Sequence, residues 1–568
     1  GTHPWVSLNE HGNPISADAV SVLGAAIDNG ADIGQLRWDG SASSVASWTD
    51  DGATAVGNTS SESFHVDFRR SPVLKKFPSI ALTVADTLAA KIKTKVFSET
   101  VTFTVSLEAE KGSPTDSARS AAVYRSNTGT ALLNSPKYRE WNPATQAWSA
   151  EVELANTGSP VRDALIRFSP DSSLRVVVSH SDDGTLNLFK CDSSCTSASS
   201  WTLVAADFAD TGTTNSAKPY RPYDILFETT GERLVIVYDK ELTEDADFYY
   251  RTFDGTTLSG ETGVNLGGAA DAEELRYLHL AAHPTTNEMT VAILDATNLR
   301  SYGAVWSGSA WGNVQTVSSS LSIENADGDS VDVAYETLTG ASLVFSGNGG
   351  NSAAYARWTG SSWTTGTTNP NPGVTSEDVK FVSLKSDPLS SSNKVMACQG
   401  DDESDLSCSQ FAAGTPGAWT LITTNTGTAA GRAFDFAYNP AGTTGLLVSS
   451  SGASGTLDYR AFNGTGFGNA STLSAAGTHK WVLGASAISA TDVVNSMFLK
   501  SNSNFDTGAI RSKAGTTALI GDASLTGDSG NDTYESMHID FQKSKRVKRA
   551  SADTITVAPA VTRGLGKS

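Results

Sequence analysis

Residues 324–336, ENADGDSVDVAYE, set the oxygen donors Asn325, Asp327 and Asp329 at alternating positions, as a calcium loop does. Ser330 stands where such a loop turns on Gly, and 331–336 reads as a strand that draws Glu336 away. Calcium is the one cofactor these residues suggest. Other acid-rich turns, ELTEDAD (241–247) and DDESD (401–405), read as solvated faces. His279 and His283 lie four apart on a strand and share a face, where packing explains them better than zinc. A third group recurs: Arg139 with Trp141, Arg251 with Phe253, Arg357 with Trp358, Arg460 with Phe462. Such rings could stack on sugar faces while the guanidinium bonds hydroxyls. Packing of guanidinium on ring between sheets is the simpler account of the same pattern. No residue is nominated as catalytic, because P-loop, dinucleotide, haem-attachment, GxSxG and HExxH patterns are all missing. The nearest approach to a sialidase Asp-box turn, SHSDDGTLNLF (179–189), has His180 in place of the Ser.

The remaining reactive residues speak of compartment. Four cysteines form two local pairs without zinc-site spacing, so Cys191–Cys195 and Cys398–Cys408 are expected as disulfides. That places the chain in an oxidising, extracellular setting. Asn58, Asn463, Asn469 and Asn531 head glycosylation sequons. The chain opens on Gly1, as expected of a protein secreted after processing. No apolar run approaches the roughly 20 residues of a membrane span. Lys plus Arg number 41 against 61 for Asp plus Glu, a formal net charge of −20. That balance argues against nucleic acid or an anionic membrane as partner.

What positions these residues is a repeat. An aromatic, one residue, a Gly and a second large apolar residue recur at Phe253, Gly255 and Leu258; Trp306, Gly308 and Trp311; Trp358, Gly360 and Trp363; Phe462, Gly464 and Phe467. The first aromatics are 53 and 52 residues apart, and Phe411 divides the last interval into 53 and 51. Periods near 50 in β-rich sequence mark propeller blades, and the Gly marks a hairpin. The apolar runs that follow come in two flavours. One opens on Asp224, Asp332 and Asp435, with Asp540 as the next copy; the other carries turn prolines Pro170, Pro284 and Pro388. The repeat is thus a pair of blades of about 105 residues. Counting units from Tyr138 favours an all-β, eight-bladed propeller over a seven-bladed one, with 120–127 supplying the strand that closes the ring.

Three segments follow: a β-rich, sandwich-like domain over 1–115, the propeller over 116–544, and a basic tail over 545–568. In the first, 15–29 and 86–96 read as short helices among strands at 63–69, 79–86 and 99–110. SFHVDFRRSPVLKK (63–76) also matches SMHIDFQKSKRVKR (536–549) at 6 of 14 positions. The cationic run of Lys543, Lys545, Arg546, Lys548 and Arg549 leads into one strand-like stretch that includes Thr554, Ile555, Thr556 and Val557. That stretch could add to an open sheet edge of a neighbouring subunit by strand complementation.

YETLTGASLVFSG (335–347) and AYARWTGSSWTTG (354–366) resemble the tandem blades of secreted prokaryotic cell-surface propellers. The resemblance spans roughly 138–544 and brings no catalytic residues. It implies a role on the cell surface or in an appendage. The leading expectation is a non-enzymatic structural or adhesive subunit that self-associates into a pilus-like filament. A carbohydrate-binding, lectin-like propeller with glycan partners is the alternative, and a glycosidase the third reading.

Overall fold

The computed structural model describes four strands between Trp5 and Thr49 and, apart from loop segments, residues 120–541. The chain divides into two compact units, Gly1–Glu110 with Val547–Ser568, and Lys111–Arg546.

In the first unit, Trp5–Asn9, Val20–Ala25, Ile33–Trp38 and Trp48–Thr49 form an antiparallel meander in chain order. The helix expected over 15–29 is therefore a strand in part. Val20 and Val22 alternate with Ser21 and Leu23, and a period of two with β-branched residues and Gly24 suits a pleat better than a helix. The expectations for 63–69, 79–86, 86–96 and 99–110, the basic run 543–549 and Thr554–Val557 lie outside the described residues.

The second unit is a β-propeller. Seven antiparallel blades follow one another along the chain, six of four strands and the fifth of five. Their innermost strands are Val161–Phe168, Tyr223–Phe227, Leu275–Ala282, Val331–Tyr335, Val379–Ser386, Phe434–Tyr438 and Thr478–Ser486. An eighth, composite sheet joins the two ends of the repeat. Its inner strand Met537–Phe541 pairs with Ser120–Tyr124, which pairs with Lys137–Asn142. Met537–Phe541 lies between the inner strands of the seventh and first blades, so the ring is closed by hydrogen bonds between chain-distant strands.

The repeat read from sequence is out of phase with these sheets by half a blade. Each aromatic strand is the third strand of a sheet, as Phe248–Phe253 pairs with Leu234–Tyr238. The crossing to the next blade falls at the longer loop, for example between Val264 and Leu275. The Gly of the recurrent turn is held at φ 93° (Gly255), 91° (Gly308), 89° (Gly360) and 100° (Gly464), where a side chain is strained.

Burial follows the radius. In the first blade Arg175–Ser181 is buried throughout, whereas the outer strand Thr202–Asp210 is half open. Asp residues lock neighbouring blades together. Asp224 accepts the N–H of Leu280 at 2.7 Å, and Asp332 accepts that of Leu384 at 2.7 Å, each on the next inner strand. In the closing sheet His538 takes this place, with Nδ1 accepting the Ile166 N–H at 3.3 Å. Asp540, expected as the next copy of Asp435, sits two residues further on and accepts the Phe168 N–H instead. Both disulfides form. Cys398 and Cys408 face each other across a hairpin of the fifth blade, and Cys191–Cys195 closes a short loop after a third strand.

Candidate functional site

The repeated Arg–aromatic pairs prove to be three equivalent sets and one outlier. Arg139, Arg251 and Arg460 stand opposite Ala122, Ile236 and Leu447, the same place in each sheet. Arg357 is opposite Leu343, one position out, so it projects from the other face. There it makes a two-pronged bond to Glu336, with both contacts at 2.7 Å. All four rings, Trp141, Phe253, Trp358 and Phe462, are buried, so none is itself a stacking platform. The next aromatic out is more open. Trp148 lies directly across from Trp141, edge-on at 5.7 Å, half-buried and on the same face as Arg139.

Two of the sets are elaborated alike. Arg139 Nε donates to the Tyr124 hydroxyl at 2.9 Å, which donates to Glu151 at 2.8 Å. Arg251 Nε donates to the Tyr238 hydroxyl at 3.2 Å, which donates to Glu261 at 2.7 Å. In each set Nη1 meets a backbone carbonyl, that of Ser149 or Ser259. These bonds engage two of the five N–H donors of each guanidinium. Lys240 adds a cation at 2.9 Å from Glu261. Burial, then the neighbouring carboxylate, pushes both phenols well above their usual range, which keeps them neutral donors. Burial raises the Glu261 carboxyl, but the bonds from Tyr238 and Lys240 outweigh it and hold the group below its ordinary value. The third set has Ser449 where the other two carry Tyr, and Arg460 meets only the carbonyls of Gly468 and Ile422.

At the axis, charged residues fill the ring. Glu535 bridges Arg221 at 2.9 Å and Arg432 at 2.8 Å, and Asp329 bridges His279 at 2.6 Å and Arg432 at 3.5 Å. All five are buried. Burial works against each charge and the partners outweigh it: Asp329 is held below its ordinary value and His279 above. This network was not apparent from the sequence, although a signal for it is present. Arg221, Asp329 and Arg432 each stand three residues before Asp224, Asp332 and Asp435, and Glu535 three before His538.

Asn325, Asp327 and Asp329 share no site. Asn325 caps a short helix and binds the Val379 carbonyl, Asp327 pairs with Arg276 at 2.6 Å, and Asp329 belongs to the axis. The short helix at Ile323–Asp327, begun by a Ser322–Asn325 capping box, turns the three apart. His283 is separate from His279, accepting the N–H groups of Thr285 and Thr286 in a turn. Asn463 and Asn469 are exposed, while Asn58 and Asn531 lie outside the described residues.

A narrow crevice beside the first three blades is lined by Arg162, His180, Thr211, Tyr220, Glu274 and Arg276 among others. The Thr211 hydroxyl is 2.9 Å from His180 Nε2, and Nδ1 of that ring is 3.3 Å from Asp163. Tyr223 donates to the other oxygen of Asp163 at 2.6 Å. The Thr211 hydroxyl also donates to the Gly184 carbonyl at 2.9 Å, so the three groups have the order of a hydroxyl, an imidazole and an orienting carboxylate with the hydroxyl proton held by the backbone. Sequence reading missed it because its members are dispersed, His180 lying 17 residues from Asp163 and 31 from Thr211.

No protein-family model matches this sequence, and no curated protein matches it. Among solved structures, the fucose-complexed lectin of Aleuria aurantia is 10% identical, with 65% of this chain and 96% of that one covered at TM-score 0.35. AofleA of Arthrobotrys oligospora is 13% identical over 56% and 87%, at 0.32. A periplasmic gluconolactonase of Pseudomonas aeruginosa is 10% identical over 63% and 97%, at 0.40. Likenesses at these scores carry no argument about what this chain does.

Proposed function

We propose that the propeller is an extracellular carbohydrate-binding module whose sites are the Arg139–Tyr124–Glu151 and Arg251–Tyr238–Glu261 sets. One observation carries this: the same three functional groups are built at equivalent places in two sheets, and although both phenols are buried the charged groups stay partly open, Arg251 at 22% and Glu261 at 25% side-chain exposure. A guanidinium with donors to spare, an ionised carboxylate and a neutral phenol match the paired donors and acceptors of sugar hydroxyls. Trp148 supplies an aromatic face beside the first set. The two disulfides suit a secreted protein. The test is a glycan panel probed with the full chain, followed by calorimetry on any binder. Arg251→Ala and Arg139→Ala should each remove one class of site, and the double variant all binding. Absence of binding across neutral and acidic glycans, or undiminished binding by the double variant, sinks the reading.

The Thr211–His180–Asp163 chain favours a second reading, hydrolysis at the crevice. Turnover of ester or glycoside substrates by the wild type, lost in His180→Gln, would support it; no turnover by the wild type removes it.

A further inference from the structure

Outside those sets, three carboxylates gather in the fifth blade. Glu377 stands two residues before its inner strand, Asp401 ends the second strand and Asp405 precedes the third, Leu406–Ala412. One carboxylate oxygen from each of the three lies within 4.8 Å of the others. Asp401 is 1% exposed and Asp405 6%. Asp401 Oδ1 is engaged, accepting the N–H of Asp405 at 2.7 Å and of Glu403 at 3.2 Å. Its Oδ2 is buried with no hydrogen-bond partner, as is Glu377 Oε2. Among the described residues no Lys or Arg pairs with any of the three. Asp378, next in the chain, also has a buried, unpartnered carboxylate oxygen, while its backbone ties to Asp402 in both directions.

We infer that Glu377, Asp401 and Asp405 form a calcium site that pins the loop of this hairpin. Two oxygens on one Ca²⁺ at about 2.3–2.6 Å can be no more than about 5 Å apart, which this cluster satisfies. Mg²⁺ demands near-ideal octahedral geometry at about 2.0–2.1 Å and dehydrates reluctantly, so an all-protein carboxylate cluster suits it less. Two buried carboxylates beside a half-buried one, without a counter-charge, need a cation or a shared proton. The oxygen-only donor set excludes a preference for soft metals. The loop so pinned ends the hairpin that carries Cys398–Cys408, so a cation and a covalent bond would fasten the same two strands.

The experiment uses the full chain, stripped with a chelator and titrated with CaCl₂ by calorimetry and thermal melting. One Ca²⁺ per chain is expected, with a Kd of about 10⁻⁴–10⁻³ M or tighter, the range of extracellular modules. The melting temperature should rise on binding, and Mg²⁺ should bind at least about tenfold more weakly. Asp401→Asn should abolish the heat of binding. Since that residue is buried, Glu377→Gln, at the half-buried edge, is the second variant and should weaken binding at least tenfold with circular dichroism unchanged. No uptake by the wild type up to about 10 mM Ca²⁺, well above that range, would overturn the assignment. So would unchanged binding by Glu377→Gln, or Mg²⁺ bound as tightly as Ca²⁺.

Discussion

Arginine serves two opposite ends in this propeller. At the axis Arg221 and Arg432 are buried and share Glu535, with Asp329 completing the arrangement. On the third strands Arg139 and Arg251 meet the same kinds of partner, yet water reaches them and donors remain. The difference is desolvation. A charge taken fully out of water must be matched or it destabilises the fold, so axial residues are committed to structure. A charge at the rim costs little to hold and little to lose, so it can be spent on a ligand.

The largest test of that contrast is Glu535→Gln. It leaves two buried guanidinium groups facing a neutral amide, two residues before the closing strand. A loss of about 3–5 kcal/mol is expected for breaking such a pair. Urea unfolding followed by tryptophan fluorescence would read it, and a loss below about 1 kcal/mol would show that the axis is wetter than its burial implies.

Next is Asp332→Ala, which orphans the N–H of Leu384 between two blades. The cost of an unsatisfied buried donor is about 1–3 kcal/mol. Asp224→Ala should behave alike at Leu280, and equal losses would confirm the lock as a repeated device.

These devices show how far the sequence could be read. Periodicity revealed the propeller because its glycines and aromatics recur where a turn and a packed third strand demand them. It misplaced the blade boundary, since a repeat has no origin and loop length alone marks the crossing. Arg357 is a finer case: it precedes its aromatic by one residue and the other three by two, and in a strand that single step changes the face. Asp540 was matched by residue type, although His538 does the job, because a ring nitrogen and a carboxylate oxygen can accept the same N–H. The calcium expectation chose the better local pattern at 325–329 over DDESD. A hairpin and the chain entering the inner strand assemble the denser cluster, and no local motif records that.

Titration separates axis from rim further. His279 has its pKa raised, so its charged pairing with Asp329 stabilises fully below pH about 6.5 and is lost as pH rises through the folded value. Asp329 has its pKa lowered, so its contribution is present above pH about 3.9 and is lost as pH falls through the folded value. Melting temperature against pH should therefore fall on both sides. His279→Gln should flatten the alkaline limb and also shrink the acid one, because His279 is the first of the partners that hold Asp329 down. If both limbs persist unchanged in that variant, other groups govern the profile.

The smallest expected effect on stability is Arg251→Ala, and it is the most informative about the rim. The guanidinium is 22% exposed and its Nη2 lies 3.8 Å from Glu261, a long and water-screened contact. Lys240 stays at 2.9 Å from the same carboxylate, so no charge is stranded. Tyr238 still donates to Glu261. The loss should stay below about 1 kcal/mol, in the range of exposed pairs. Arg251→Lys keeps the charge but not the planar fork of donors, and should be still closer to wild type in stability. Any glycan affinity at this site should nevertheless fall in both variants, since a single ammonium cannot reproduce two divergent N–H bonds. A stability loss as large as that of Glu535→Gln would place Arg251 among the structural arginines and erase the distinction between axis and rim.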